Sequence, residues 1–241
     1  MILLPRSLFA ALVFLGLVLS ARAAPPVPAS AGPSPAYTRT IYLIRHGAYD
    51  MTPGDESTAN GLTPLGIAEA RLVAARLRGV PVEFTSLTSS TLTRARQTAQ
   101  VIGQMFPSLQ LQTTPLLRET LPRVRGMDLS GQAAPADLDA NEAQLNQAFA
   151  TYFIPAKDRD ENDIIVCHGN VIRYLVMKAL GVDSQAWAGL SVAHCSLTII
   201  QVSSSGTCKV LAVGDTGHLP PNLLSGYSRT NPELVAPASA P

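Results

Sequence analysis

Two short apolar runs in this 241-residue chain each end in a histidine followed by glycine. Ile41-Tyr42-Leu43-Ile44 leads into Arg45-His46-Gly47, and Asp163-Ile164-Ile165-Val166-Cys167 leads into His168-Gly169-Asn170. Runs of this length and composition, closed by glycine, are strand signals. In open α/β sheets ligands bind beyond the carboxyl ends of the strands, so two imidazoles and the Arg45 guanidinium would share one edge. A single histidine there reads more readily as a structural residue than as a catalytic one. Two with matched surroundings, beside an arginine, point to nucleophilic attack, proton transfer and anion binding. A third strand signal over 83–88 leads into Ser90-Thr91-Leu92-Thr93-Arg94-Ala95-Arg96-Gln97-Thr98-Ala99, which brings Arg94 to the first turn of a helix at the same edge. By itself Arg94 reads as a surface helix charge, and Arg96 points to the opposite side of that helix.

The elements that must hold these residues alternate. Thr63-Pro64 supplies an N-cap and first position for a helix to about Leu77. Further helical patterns cover 92–105, 140–152 and 171–180, and a hairpin around Ser203-Ser204-Ser205-Gly206 joins 196–202 to 208–213. Strands alternating with helices predict an α/β fold, a three-layer α/β/α arrangement with a mainly parallel sheet. No internal repeat is visible.

Composition narrows the chemistry. Eighteen basic residues oppose 17 acidic ones, scattered along the chain, so nothing resembles a nucleic-acid-binding stripe and no nucleic acid is expected as partner. No C-x-x-C or H-E-x-x-H spacing suggests a metal centre, and no cofactor is implied. Three cysteines leave at least one unpaired; Cys167 reads as a buried apolar residue, and a hairpin centred on Ser204 and Ser205 sets Cys208 opposite Val202 instead of Cys195, so no disulfide is expected. No C-x-x-x-x-x-R loop follows any of the three, which disfavours a cysteine nucleophile.

The ends read differently. Arg6, an apolar run from Leu8 to Leu19 and the small residues up to Ala24 have the layout of a secretory signal peptide cut after Ala23, giving residues 1–23 as leader and a secreted or periplasmic location. An uncleaved anchor is the alternative, and only it would place the protein at a membrane; its run is short of the ~20 residues a spanning helix needs. Residues 24–38 form a Pro/Ala/Ser-rich linker, residues 39–223 the catalytic domain, and residues 224–241 a tail expected to fray.

Leu43-Ile44-Arg45-His46-Gly47, the Ser90 to Ala99 segment, Leu117-Arg118-Glu119, and Val166-Cys167-His168-Gly169-Asn170 with Arg173 resemble, in order, the four signature segments of the histidine phosphatase superfamily, phosphoglycerate-mutase branch. Leu62-Thr63-Pro64-Leu65-Gly66, Trp187, and Gly214-Asp215-Thr216-Gly217 with Pro220-Pro221 are similar to the mitochondrial serine/threonine phosphatase group of that family. The resemblance implies a phosphoglycerate-mutase-like fold and a metal-independent phosphomonoesterase acting on a phosphoprotein or small phosphate ester. It makes His46 the nucleophile that forms a phosphohistidine, and Arg45 and Arg94 phosphate ligands whose planar forks suit bidentate contact. His168 and the Gly169 backbone N–H become further donors to the phosphate, and Glu119 the general acid and base. Like charge from the two arginines is expected to keep His46 neutral.

Departures from the family sort the alternatives. Only 48 residues, positions 120 to 167, separate Glu119 from His168, too few for a mutase lid, and Ala48-Tyr49-Asp50 replaces the mutases' Glu-Ser type pair. Arg45-His46-Gly47-Ala48-Tyr49-Asp50-Met51 likewise departs from the phytase motif. A phosphatase of a lipopolysaccharide sugar in the periplasm, and a non-catalytic binding module on the same fold, stay open. Residues 24–38 lack Trp and Asp, so the oligomer-building segment of the mitochondrial relative is not carried over. Asp215 reads as a turn cap as easily as a site residue, His194 at a strand entrance as a pocket-lining residue or, more readily, a structural one, and His218 as exposed.

Overall fold

The computed structural model describes residues 36–51, 55–56 and 58–227. The expected leader, most of the linker and the tail beyond residue 227 lie outside the described residues.

Strand β1 (Arg39–Arg45) shows why the fold has three layers. Side chains alternate across a strand, so Ile41 and Leu43 enter one apolar cluster while Tyr42 and Ile44 enter another. A strand buried on both faces needs cover on both. Helices α1 (Pro64–Arg78) and α2 (Thr93–Gly103) bring Ala70, Val73, Leu77, Ala99 and Ile102 to the Tyr42 side. Helices α3 (Pro135–Tyr152) and α4 (Gly169–Leu180) bring Leu145, Ala148, Ile172 and Leu175 to the Ile41 side.

The remaining strands are β2 (Ser86–Ser90), β3 (Leu111–Thr114), β4 (Glu161–Cys167), β5 (Leu197–Val202) and β6 (Cys208–Asp215), and the sheet order is β3-β2-β4-β1-β5-β6. The first four strands in that order run parallel, and β5 and β6 form an antiparallel hairpin at the edge. The mainly parallel α/β sheet is thus as expected. The β1–β4 register is what matters for the site: Arg45 lies opposite Cys167, so the residues that follow each strand emerge side by side, and the His46 N–H bonds the Cys167 carbonyl at 2.9 Å.

Several boundaries differ from the sequence reading. Strand β2 starts at Ser86, since Phe84 packs edge-on against Tyr42 and Phe106 before ladder pairing begins. The four-residue β3 has no apolar run to announce it; its Leu-Gln-Thr-Thr pairs with β2 alone. Helix α3 begins at Pro135, which serves as its first residue with Asp137 in the first turn. Thr63 caps α1 as expected, accepting the Gly66 N–H at 3.1 Å.

In the hairpin Cys208 does pair with Val202, and the three thiols are free. Asp215 caps its turn, accepting the Gly217 N–H at 2.8 Å. Two expectations are corrected. His218 is half-buried, because its Nε2–H donates to the Cys195 carbonyl at 3.0 Å. The segment 224–227 is held against the domain, with the His194 N–H bonded to the Ser225 carbonyl at 3.0 Å.

Candidate active site

The loop after β1 is clamped from three sides. The Gly47 N–H donates to Thr98 Oγ1 on α2 at 3.0 Å, and the Ala48 N–H donates to Glu69 Oε2 on α1 at 2.7 Å. The start of α1 approaches so closely that a Cβ on Gly66 would lie 1.9 Å from the Ala48 carbonyl oxygen, which only glycine permits. Gln97 accepts the Leu62 N–H at 2.7 Å, so the α2 motif holds the loop as well as carrying Arg94.

Within this frame the tautomer of His46 is set. Its Nδ1 is 2.9 Å from the Gly47 carbonyl, which can only accept, so Nδ1 carries the proton and Nε2 presents a lone pair. Arg94 Nε–H donates to that lone pair at 3.2 Å. The Arg94 guanidinium lies over the Tyr49 ring at 4.6 Å, and its Nη1 is 3.3 Å from Glu56 Oε2 without forming a hydrogen bond. Arg45 Nη1 donates to the carbonyls of Val192 and Gly226 at 2.8 and 2.6 Å, while its buried Nε has no partner.

His168 is the N-cap residue of α4, and its ring centroid is 5.0 Å from that of His46. Its Nε2 is 2.8 Å from Ser90 Oγ and its buried Nδ1 is unpartnered. A cavity of about 170 Å³ is lined by Arg45, Glu119, Gly169, Asn170, Arg173 and Tyr227 among others. A wider cleft of about 500 Å³, beside Val124, Met127 and Leu129, contains none of these groups.

Electrostatics follow from burial. His46 is 2% exposed, and its pKa is held well below 6.5 first by desolvation, then by the neighbouring His168, Arg45 and His194. Burial thus outweighs the arginine repulsion invoked from sequence. His168 is lowered by burial, then by Arg94 and Arg45. The Glu119 carboxyl is raised by desolvation, an effect that the nearby Arg45 only partly offsets.

The structure therefore brings Arg45, His46, Arg94, Glu119, His168 and Gly169 to one sheet edge. It adds Arg173, Ser90 and Ser225, to which the sequence assigned no role, and sets His194 against the nucleophile. Arg173, one turn after Gly169, bonds the Asn170 side chain and stacks over Trp187 at 4.5 Å. Ser90 orients His168. His194 packs 5.2 Å from His46, and Ser225 joins it to Glu69. Arg173 stands in the fourth signature segment without a role of its own; nothing local connects Ser225 with Glu69, 156 positions away.

The family model described as histidine phosphatase superfamily (branch 1) matches residues 41–150 and 146–216. The chain belongs to the histidine phosphatase superfamily. Within that superfamily it is 35% identical over 193 residues to the mitochondrial serine/threonine-protein phosphatase Pgam5 of Caenorhabditis elegans, and 34% identical over 192 residues to PGAM5 of Homo sapiens. Each alignment covers 78% of this chain and 66% of the relative, so the chain spans just under two thirds of their length. Among solved structures it is similar to the phosphoglycerate mutase of Plasmodium falciparum, with a TM-score of 0.55, 26% identity, and coverage of 76% of this chain and 95% of that one. The phosphoserine phosphatase of Entamoeba histolytica shares the fold, with a TM-score of 0.58, 22% identity and coverage of 76% and 100%. These relatives overturn the secreted or periplasmic location expected from the leader, because the matched phosphatases are mitochondrial. Among the described residues no helix is long and apolar enough to cross a membrane, and no group of three or more His, Cys, Asp or Glu could hold a metal ion.

Proposed function

We propose that this superfamily member is a phosphomonoesterase that works through a phosphohistidine on His46. The observation that carries this reading is the bond from His46 Nδ1 to the Gly47 carbonyl, which leaves Nε2 as an unprotonated nucleophile among Arg45, Arg94 and His168. Nε2 attacks phosphorus in line with the ester oxygen, forming the P–N bond as the P–O bond breaks. Arg45 Nε and Arg94 Nη1, neither of them hydrogen-bonded and the latter 3.3 Å from Glu56 Oε2, supply donors for the equatorial oxygens, where charge develops. In the proposed tautomer the Ser90 hydroxyl, whose Oγ also accepts the Leu92 N–H, donates to His168 Nε2; His168 Nδ1–H is then a further donor, together with the Gly169 N–H at the start of α4.

Glu119, its protonated form favoured by desolvation, gives its proton to the leaving oxygen. As a carboxylate it then takes a proton from the water that attacks phospho-His46, the P–N electron pair returning to Nε2. Charge neutralisation comes from the guanidiniums, with hydrogen bonding from the neutral His168 ring, so no metal is assigned to a step.

The substrate class proposed is a phosphoserine or phosphothreonine side chain, by similarity to the serine/threonine phosphatases matched over most of this chain. A small phosphate ester is the second reading, since a cavity of about 170 Å³ takes a phosphoryl group on any short stem. The deciding experiment incubates the protein with phosphopeptides and a chromogenic phosphate ester, with and without chelator, and quenches in alkaline denaturant, in which the P–N bond survives, to trap phosphohistidine. Turnover lost in His46→Ala and unchanged by chelator is the expected result. Full activity in His46→Ala would overturn the mechanism, and an inert wild type would favour the binding module.

A further inference from the structure

His194 is 91% buried, has no role in the mechanism above, and lies on the segment that leads into β5. Its ring packs 5.2 Å from that of His46 and 6.2 Å from that of Tyr49, beside the nucleophile to which the phosphoryl group would bond. Two features show that this placement is built. The first is a chain of hydrogen bonds. Glu69 accepts the Ala48 N–H on Oε2 and the Ser225 hydroxyl on Oε1. With its single hydrogen given to Glu69, Ser225 Oγ faces His194 Nδ1 at 2.8 Å as an acceptor, so Nδ1 must be protonated. Across the ring, Nε2 is then a lone pair, buried and without any partner.

The second feature is Gly226, at φ +80°, where a Cβ would lie 2.6 Å from His194 Cγ. Only glycine allows the chain to bring Ser225 onto this ring while giving its carbonyl to Arg45. Burial, with the neighbouring Arg45 and Arg94, depresses His194 to about 3, so the ring stays neutral and Nε2 stays an acceptor in the working range of pH.

Beside the donors of Arg45, Arg94 and His168, an acceptor that is not the nucleophile is useful only toward an oxygen that carries hydrogen. Orthophosphate keeps a P–OH group at neutral pH, and a phosphate monoester carries one in its monoanion; sulfate has none. We propose that His194, positioned by the Glu69–Ser225 hydrogen-bond chain, binds the phosphoryl group by accepting its P–OH hydrogen at Nε2 and so makes the pocket select phosphate over sulfate. This rests on the reading that the phosphoryl group docks at His46. A site built to hydrogen-bond a group rejects the analogue lacking it, because the buried partner is left unmatched.

The test measures inhibition of chromogenic-ester hydrolysis by orthophosphate and by sulfate at pH 7 and matched ionic strength. The proteins are wild type, His194→Ala, Ser225→Ala and Ser225→Thr, each checked by thermal unfolding. Wild type is expected to bind phosphate at least tenfold more tightly than sulfate. That ratio should fall roughly tenfold in His194→Ala and in Ser225→Ala, which frees the tautomer, and recover in Ser225→Thr, which restores the hydroxyl. A ratio unmoved by His194→Ala, or a Ser225→Thr ratio as low as that of Ser225→Ala, overturns the proposal. Should His194→Ala fail to fold, the Ser225 pair decides alone. Trapping in alkaline denaturant on wild type separates the layers: no phosphohistidine sinks the proposed function, whereas phosphohistidine with an unmoved ratio sinks only the role of His194.

Discussion

Arg94 Nε lies 3.2 Å from His46 Nε2 and donates to the lone pair that the proposed mechanism directs at phosphorus. The same guanidinium is held over Tyr49, so it has one flat surface supported while its fork stays in the pocket. In the free protein this bond masks the nucleophile; as a phosphate enters, the guanidinium has charged oxygens to bond instead.

Arg94→Ala is therefore expected to lower kcat for the chromogenic ester by about 10² to 10³, the usual cost of losing one preorganised charge donor. Arg94→Lys should recover little of it, because a lysine lacks the fork and the flat face that Tyr49 supports. Steady-state kinetics on both variants check this; full activity in the lysine variant would show that charge alone suffices.

Two groups shape the pH profile. His46 titrates well below 6.5, so kcat/KM should stay level as pH falls through 6.5 and decline only at more acid values. Glu119 must be protonated to act as an acid, and its raised pKa places the alkaline limb above the ordinary carboxylate range. Glu119→Gln should flatten that limb at a lower rate. The stability sign also follows. With its folded pKa above the unfolded value, Glu119 contributes stability below about 4.5 that is lost as pH rises through the folded value. The Tm of Glu119→Gln should thus gain on wild type over that same rise.

Gly66→Ala is expected to destabilise the fold by about 2 kcal/mol or more, since its Cβ would collide with backbone that has nowhere to move. Chemical denaturation measures this. The residual native protein should also turn over slowly, because the colliding atom belongs to Ala48, two residues from the nucleophile.

Gly226→Ala tests the segment 224–227. The substitution meets both a positive φ and the His194 ring, so the segment must lift, releasing Ser225 from His194 and Gly226 O from Arg45. KM for phosphate esters should rise several-fold with little change in Tm, as the core clusters do not include these residues. An unchanged KM would mean that the segment is only packed beside the site.

Much of the site was legible because its residues sit at positions the chain marks locally. His46 and His168 follow strand-forming runs, and Arg94 stands in the first turn of a helix. Glu119 was legible through family resemblance alone, since the short turn Pro115–Leu117 before it carries no periodic signal. His194 read as structural more readily than as pocket-lining, because a lone histidine near a strand carries no directional information. The tail read as frayed because Ser225-Gly226-Tyr227 has no apolar pattern; its anchors are polar and distant in sequence.

The sequence by itself determined the elements, the alternation that sends β1 side chains to both faces, and which histidines and arginines stand at strand ends. These depend on local periodicity and on the chemistry of single residues. Tertiary structure alone decided the protonation and the partners. The β1–β4 register sets His46 beside His168, burial holds both rings neutral, and the Gly47 carbonyl selects the nucleophilic nitrogen. It also brings Ser225 to Glu69 and His194, a contact whose energy comes from desolvated polar groups that meet only after the chain has folded.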